Sequence, residues 1–131
     1  MQDSALNVIE KPWGREIILR QTAHYVVKTL CVRAGCRLSL QYHRVKSEAM
    51  QLGSGHAVLE IHEDGIVTEH DLHQSVEILP GTVHRLVAID DCEVIEVSTP
   101  ELDDVVRLED DYKRIPPPRA ARARKPVALA A

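Results

Sequence analysis

The chain of 131 residues contains no phenylalanine, and Trp13, Tyr25, Tyr42 and Tyr112 are its only aromatic residues. Its core must therefore be aliphatic, and the supply is twenty-four Val and Ile against thirteen Leu. Side chains branched at Cβ fit a pleated sheet better than a helix, so the composition points to an all-β domain. Long apolar runs are missing too. Nothing approaches the roughly 20 residues that cross a bilayer, and the N-terminus lacks the charged and apolar regions of a signal peptide. The expectation is a soluble, cytoplasmic protein that engages no membrane. Cysteine is scarce: Cys31, Cys36 and Cys92 are odd in number and show no CxxC spacing. That excludes a disulfide framework and a thiolate zinc knuckle, and leaves small buried hydrophobes. Positive charge is short in the body of the chain. Of sixteen Lys and Arg, Arg119, Arg122, Arg124 and Lys125 fall in the last sixteen residues, so residues 1–115 carry twelve cations against twenty Asp and Glu. Such a body is a poor match for a phosphate backbone, and no nucleic-acid partner is expected.

The length suits one domain, placed at 1–115 and followed at 116–131 by a tail that opens on three prolines and continues as an Ala/Arg run without apolar periodicity. A flexible tail without assigned function is expected there. Short apolar or alternating runs predict nine strands, near 15–20, 25–33, 37–43, 48–52, 56–62, 66–70, 75–79, 83–88 and 92–98. Turn-like separators such as Ala34-Gly35, Gly53-Ser54-Gly55, Asp64-Gly65 and Pro80-Gly81 divide them. Many short strands without an intervening helix suit a jelly roll or closed barrel. The stretch 101–114 fits either a helical turn or an edge strand.

Seven histidines stand against the four aromatics, and the segment from Gly35 to Gly55 uses one of them in a suggestive setting. On a strand over 37–43, Ser39, Gln41 and His43 share one face. Glu48 follows after a short connection that can bring its carboxylate opposite His43, and His84 follows the Pro80-Gly81 turn. An amide oxygen, a carboxylate and two imidazoles suit a borderline divalent ion such as Zn²⁺, Mn²⁺, Fe²⁺, Co²⁺ or Ni²⁺, with positions left open for water or substrate. The same pattern also suits polar residues on a solvated strand face, and spacing alone does not choose.

The motifs resemble a known family. Gly35, the run Gln41-x-His43-x4-Glu48 and Gly55 resemble the first cupin motif, with Gln in place of its usual first His; PGTVH, ending at His84, resembles the second. KPWG at 11–14, Lys28 within YVVKTLCV, LSLQYH at 38–43, HRL at 84–86, IEV at 95–97 and VVRLEDDYKR at 105–114 are together similar to the cupin domain of type II mannose-6-phosphate isomerases. In that family the domain often follows a nucleotidyltransferase domain; here, with the resemblance covering residues 10–114, it is expected to stand alone. The resemblance implies a cupin jelly-roll β-barrel, one divalent metal held by Gln41, His43, Glu48 and His84, and a homodimer. It also implies aldose–ketose isomerisation of a phosphosugar. That reaction needs an oxyanion stabiliser, a base and a cationic phosphate clamp. Lys46, Arg85 and Glu48 are the candidate catalytic residues, and Lys28, Arg107 and Ser39 the candidate substrate contacts.

The departures bear on substrate. Where similar proteins read RAEHW, this chain reads Lys46-Ser47-Glu48-Ala49-Met50, which exchanges a bidentate fork for a point charge and an aromatic wall for a thioether. Ala88 stands where a family-like HRLxN places Asn. Two other readings therefore stand beside the isomerase: a cupin redirected to epimerisation, cyclisation or oxygenation of a small metabolite, and a non-catalytic sugar-binding module. His24, His56, His62, His70 and His73 read as surface or satisfied core histidines, and Trp13 as packing that closes one barrel end.

Overall fold

A computed structural model describes residues 7–115, so residues 1–6 and the expected tail at 116–131 lie outside the described part. Eleven strands follow one another: β1 (Asn7–Lys11), β2 (Gly14–Gln21), β3 (Val26–Val32), β4 (Leu40–Tyr42), β5 (Glu48–Ser54), β6 (Ala57–Glu63), β7 (Ile66–Asp71), β8 (Val76–Ile78), β9 (Val83–Ala88), β10 (Cys92–Ser98) and β11 (Val106–Glu109). They form two antiparallel sheets, β1-β2-β3-β10-β5-β8 and β11-β4-β9-β6-β7. The all-β jelly-roll expectation holds. No helix among the described residues is long and apolar enough to cross a membrane.

Strand alternation sets what faces the space between the sheets. β3 buries Val26, Lys28, Leu30 and Val32, β10 buries Cys92, Val94, Glu96 and Ser98, and β5 buries Glu48 and Met50. Each row changes character along its length. At one end Leu30, Val32, Val94, Cys92, Met50, Ala57, Leu59, Leu86 and Ala88 join Trp13, Leu72 and Ile78 in one apolar core. Burying a Leu or Ile as fully as Leu59, Leu72 and Ile78 are buried contributes about 1.5–3 kcal/mol each. At the other end the same rows present Lys28, Glu96, Glu48 and His84, all buried. The barrel is thus oil at one end and charge at the other.

Two glycines allow close backbone approach. Gly55, at φ +82°, turns the chain between β5 and β6, where a Cβ would lie 2.1 Å from the Asp91 carbonyl oxygen. At Gly14 a Cβ would lie 1.9 Å from the Cys31 carbonyl oxygen, so only glycine lets β2 leave Trp13 at this angle. Trp13 is buried in the core, as its place in KPWG suggested. The three cysteines are free, with Cys92 buried and the other two half-buried.

Three strand boundaries differ from the expectation. β1 was not anticipated; it is a mostly exposed edge that pairs with β2 from Asn7↔Ile18 to Lys11↔Gly14. β4 is shorter than 37–43, because pairing with β9 is interrupted: Leu38 N–H donates to Leu86 O, Arg37 makes an isolated bridge to Val87, and the ladder resumes at Gln41↔His84. The undecided stretch 101–114 contains an edge strand, β11, antiparallel to β4.

Candidate metal centre

His43 follows β4, Glu48 opens β5 on the other sheet, and His84 is the second residue of β9, so the three come from separate parts of both sheets. Their side chains converge. Glu48 Oε2 lies 3.2 Å from His43 Nε2 and 3.1 Å from His84 Nε2, with the two imidazole centroids 5.1 Å apart. Among the described residues this is the one group of three His, Cys, Asp or Glu side chains whose ligand atoms all lie within 4.8 Å of one another.

The far side of each ring determines what the near side can do. His43 Nδ1 is 2.6 Å from the Asp104 carbonyl oxygen, and His84 Nδ1 is 2.8 Å from that of Thr82. A carbonyl only accepts, so both Nδ1 atoms carry hydrogen and both Nε2 atoms are left facing Glu48, where a neutral ring offers a lone pair and a protonated one, as in the His43–Glu48 contact, a hydrogen bond. Three Lewis bases facing one another repel unless a cation or a proton sits among them. His84 Nε2, though buried, has no hydrogen-bond partner. This donor set of two imidazole nitrogens and a carboxylate fits a borderline divalent ion.

Gln41 enters from β4, directly opposite His84 in register, and its amide lines the same cavity as His43 and Glu48. Ser39 Oγ donates to Gln41 Oε1 at 2.6 Å and so sets the amide's orientation. Arg107 of β11 lies opposite Gln41, which makes Arg107, Gln41 and His84 one continuous row across the second sheet.

Behind the ligands runs a buried chain of alternating charge. Glu48 Oε1 is 3.1 Å from Lys46 Nζ, which is 3.2 Å from Glu96 Oε2; Lys28 Nζ is 3.9 Å from the same Glu96 oxygen and 2.9 Å from Glu16 Oε2. The Lys46–Glu96 contact is an ion pair outside hydrogen-bond geometry, since Glu96 Oε2 is buried without a hydrogen bond. Burial alone would raise the pKa of Glu48, yet hydrogen bonding from a protonated His43 and the Lys46 ammonium hold it well below the usual carboxylate range. Burial and the charge of Glu48 push Glu96 the other way, up to about 7, against the pull of Lys46 and Lys28. Burial opposes the charged form of His43 as well, but contact with Glu48 leaves its pKa raised.

A cavity of about 230 Å³ opens beside this group. Of the anticipated residues, Lys28, Gln41, His43, Lys46, Glu48 and Arg107 line it; His84 is not part of its wall and meets it through Glu48, 3.1 Å away. Arg85 does not. It follows His84 on the strand and points to the opposite face of β9, where its guanidinium donates to the carbonyls of Leu38 at 3.0 Å and Glu109 at 3.3 Å. Ser39 is buried behind Gln41 rather than exposed to the cavity. The motif reading did not single out Glu96, Glu16 or Arg114, which also line the cavity. Glu96 was findable: a charged residue in the otherwise apolar inward parity of β10 is a signal in its own right. A larger cavity, about 390 Å³, lies at the opposite ends of β3 and β10 and contains none of the candidate ligands, so the smaller one is the site. The remaining histidines lie away from it, with His56 and His73 facing Asp71 and His62 facing Glu60.

Comparison with known proteins places this geometry in a family. Residues 2–110 match the family described as mannose-6-phosphate isomerase C-terminal. The chain is 33% identical over 112 residues to the mannose-1-phosphate guanylyltransferase ManC of Salmonella typhimurium, covering 82% of this chain and 23% of that protein. It is 34% identical over 116 residues to the alginate biosynthesis protein AlgA of Pseudomonas aeruginosa, covering 84% and 24%. The chain thus spans about a quarter of the length of these curated relatives. Among solved structures, the capsular polysaccharide assembling protein CapF of Staphylococcus aureus superposes with a TM-score of 0.69 at 18% identity, over 82% of this chain and 33% of that one. An RmlC-like cupin from Shewanella frigidimarina gives 0.65 at 14% identity, over 79% and 91%. These two likenesses concern the fold. With nearly its whole described length inside the family match, and with two antiparallel sheets closed around a His-Glu-His group, the chain is a cupin domain that belongs to the mannose-6-phosphate isomerase C-terminal family.

Proposed function

We propose that this domain is a metal-dependent aldose–ketose isomerase of a phosphosugar, of the mannose-6-phosphate isomerase type. The observation that carries the reading is the convergence of His43, Glu48 and His84, both Nε2 atoms turned inward, beside a cavity whose wall holds His43 and Glu48 together with Arg107 and Lys46. A divalent ion held by these three residues, with Gln41 as a further donor, would polarise the sugar carbonyl and acidify the neighbouring C–H. Arg107 binds the phosphate: its Nε is buried without a partner, and it stands one row position from Gln41. Lys46 stabilises negative charge on the sugar oxygens from its place between Glu48 and Glu96. Glu96 supplies the carboxylate that takes the C2 proton of the aldose and returns it to C1, while the O2 hydroxyl proton passes to O1. The net change is aldose to ketose, with no atom gained or lost.

A second reading, another metal-dependent reaction on an uncharged metabolite, is favoured by one observation: Lys28 and Lys46 are both already engaged by carboxylates. Assay of mannose-6-phosphate and fructose-6-phosphate interconversion with added Zn²⁺, Mn²⁺, Co²⁺ or Ni²⁺ separates the two. Turnover that chelation abolishes supports the isomerase. Absence of turnover in metal-loaded protein supports the second reading.

A further inference from the structure

The five residues from His43 to Ser47 cross from β4 in one sheet to β5 in the other, so no strand ladder holds them. They are held instead by the connection between β10 and β11. Ser47 N–H donates to Thr99 Oγ1 at 3.0 Å, and Thr99 N–H returns a bond to Ser47 O at 3.0 Å. Asp104 does the rest. Its Oδ1 accepts from the backbone N–H of Arg44 at 3.0 Å, and its Oδ2 from those of Val45 at 2.8 Å and Lys46 at 2.9 Å. Its own carbonyl accepts from His43 Nδ1 at 2.6 Å. One residue therefore contacts four consecutive residues, the first a candidate metal ligand and the last the buried ammonium beside Glu48. Its neighbours Leu102, Asp103 and Val105 form part of the cavity wall.

We propose that Asp104 is a positioning residue of the metal centre: its carboxylate and carbonyl together hold His43 and Lys46 in place from the segment that borders the cavity. The proposal rests on the reading of His43, Glu48 and His84 as metal ligands. Three amides converging on one carboxylate fix the backbone of 44–46, and that fixed backbone keeps the Asp104 carbonyl against the His43 ring. The ring orientation and its hydrogen-bearing nitrogen follow from this contact. Without the carboxylate, the backbone of the 43–47 crossing is left with its hydrogen bonds to Thr99 and Gly81 at either end.

The test is titration of the metal-free protein with Co²⁺, read by the visible absorption of the bound ion, in wild type, Asp104→Asn and Asp104→Glu. Asp111→Asn serves as control, because Asp111 pairs with Arg37 away from the cavity. Losing the hydrogen-bond partner behind a ligand costs about 10- to 100-fold in metal affinity, so both Asp104 variants, which keep the Asp104 carbonyl but free the backbone that places it, should bind Co²⁺ more weakly, by up to about that factor, and with an altered spectrum. Asp111→Asn should match wild type. Wild-type affinity and spectrum in the Asp104 variants would overturn the proposal. If wild type itself takes up no Co²⁺, it is the metal reading that fails. The ¹⁵N shifts of the His43 ring in the metal-free proteins then decide the positioning role: retention of the Nδ1–H form in Asp104→Asn overturns it, and its loss supports it.

Discussion

His84 Nε2 lies 3.1 Å from Glu48 Oε2 yet makes no hydrogen bond, because the one ring hydrogen is committed to the Thr82 carbonyl on the far side. A buried lone pair held against a carboxylate is a poor arrangement for a metal-free core and a good one for a bound cation. The buried ions behind it extend the same logic, since each of Glu48, Lys46, Glu96 and Lys28 has a neighbour of opposite sign.

Replacing His84 with Ala should remove metal retention while leaving the barrel folded. The loss should exceed the about 10- to 100-fold that an outer partner costs, since the ligand itself is gone. Metal analysis and circular dichroism check this together, and a variant that kept wild-type metal content would exclude His84 as a ligand. In wild type, a metal present at about 100 times its dissociation constant stabilises by about 2.7 kcal/mol, so chelation should lower the melting temperature by on the order of 10 °C. His84→Ala should show no such response.

Glu96, raised to about 7 from 4.5, binds its proton more tightly folded than unfolded. The stability this confers is present at acid pH and is lost as pH rises through about 7. His43, raised above 6.5, acts with the same sign in metal-free protein. The melting temperature of the metal-free protein should therefore fall between about pH 5 and about pH 8, and Glu96→Gln should lessen the fall. An equal slope in the variant would exclude Glu96 as the source. Metal affinity should run the opposite way, rising with pH as His43 gives up its proton.

Arg107→Ala should raise KM for a phosphosugar by about 10- to 100-fold, the worth of a charge-assisted hydrogen bond, with a smaller change in kcat. Steady-state kinetics measures both, and an unchanged KM would move the phosphate elsewhere in the cavity.

Arg85→Met should behave as a change in stability alone. It leaves the carbonyls of Leu38 and Glu109 without their donor, at about 1–3 kcal/mol for each that stays buried, and should not alter metal affinity. Denaturant unfolding beside a metal titration would show the separation; weakened metal binding at unchanged stability would contradict it.

The parts of this account legible in the sequence are those carried by local periodicity or by motif. Alternation reveals β3, β5 and β10, and the cupin-like spacing of Gln41, His43, Glu48 and His84 names residues that the two sheets bring to one place. Arg85 shows the limit of motif reading: adjacency to His84 suggests a shared site, while the period of two on a strand turns neighbouring side chains to opposite faces. β1 was hidden because it is a short exposed edge defined by pairing with β2 rather than by burial. Asp104 was hidden for a different reason. Its bonds reach back about sixty residues to a segment without periodicity, and they run from side chain to backbone, where the identity of the partner residues leaves no mark.

The most direct measurement is anomalous diffraction at the metal edge from crystals of the protein loaded with Zn²⁺ or Co²⁺. The account predicts one strong peak at roughly 2.0–2.2 Å from His43 Nε2, His84 Nε2 and a Glu48 carboxylate oxygen. A metal-loaded crystal with no peak among these three side chains, or with its ion elsewhere, would contradict it.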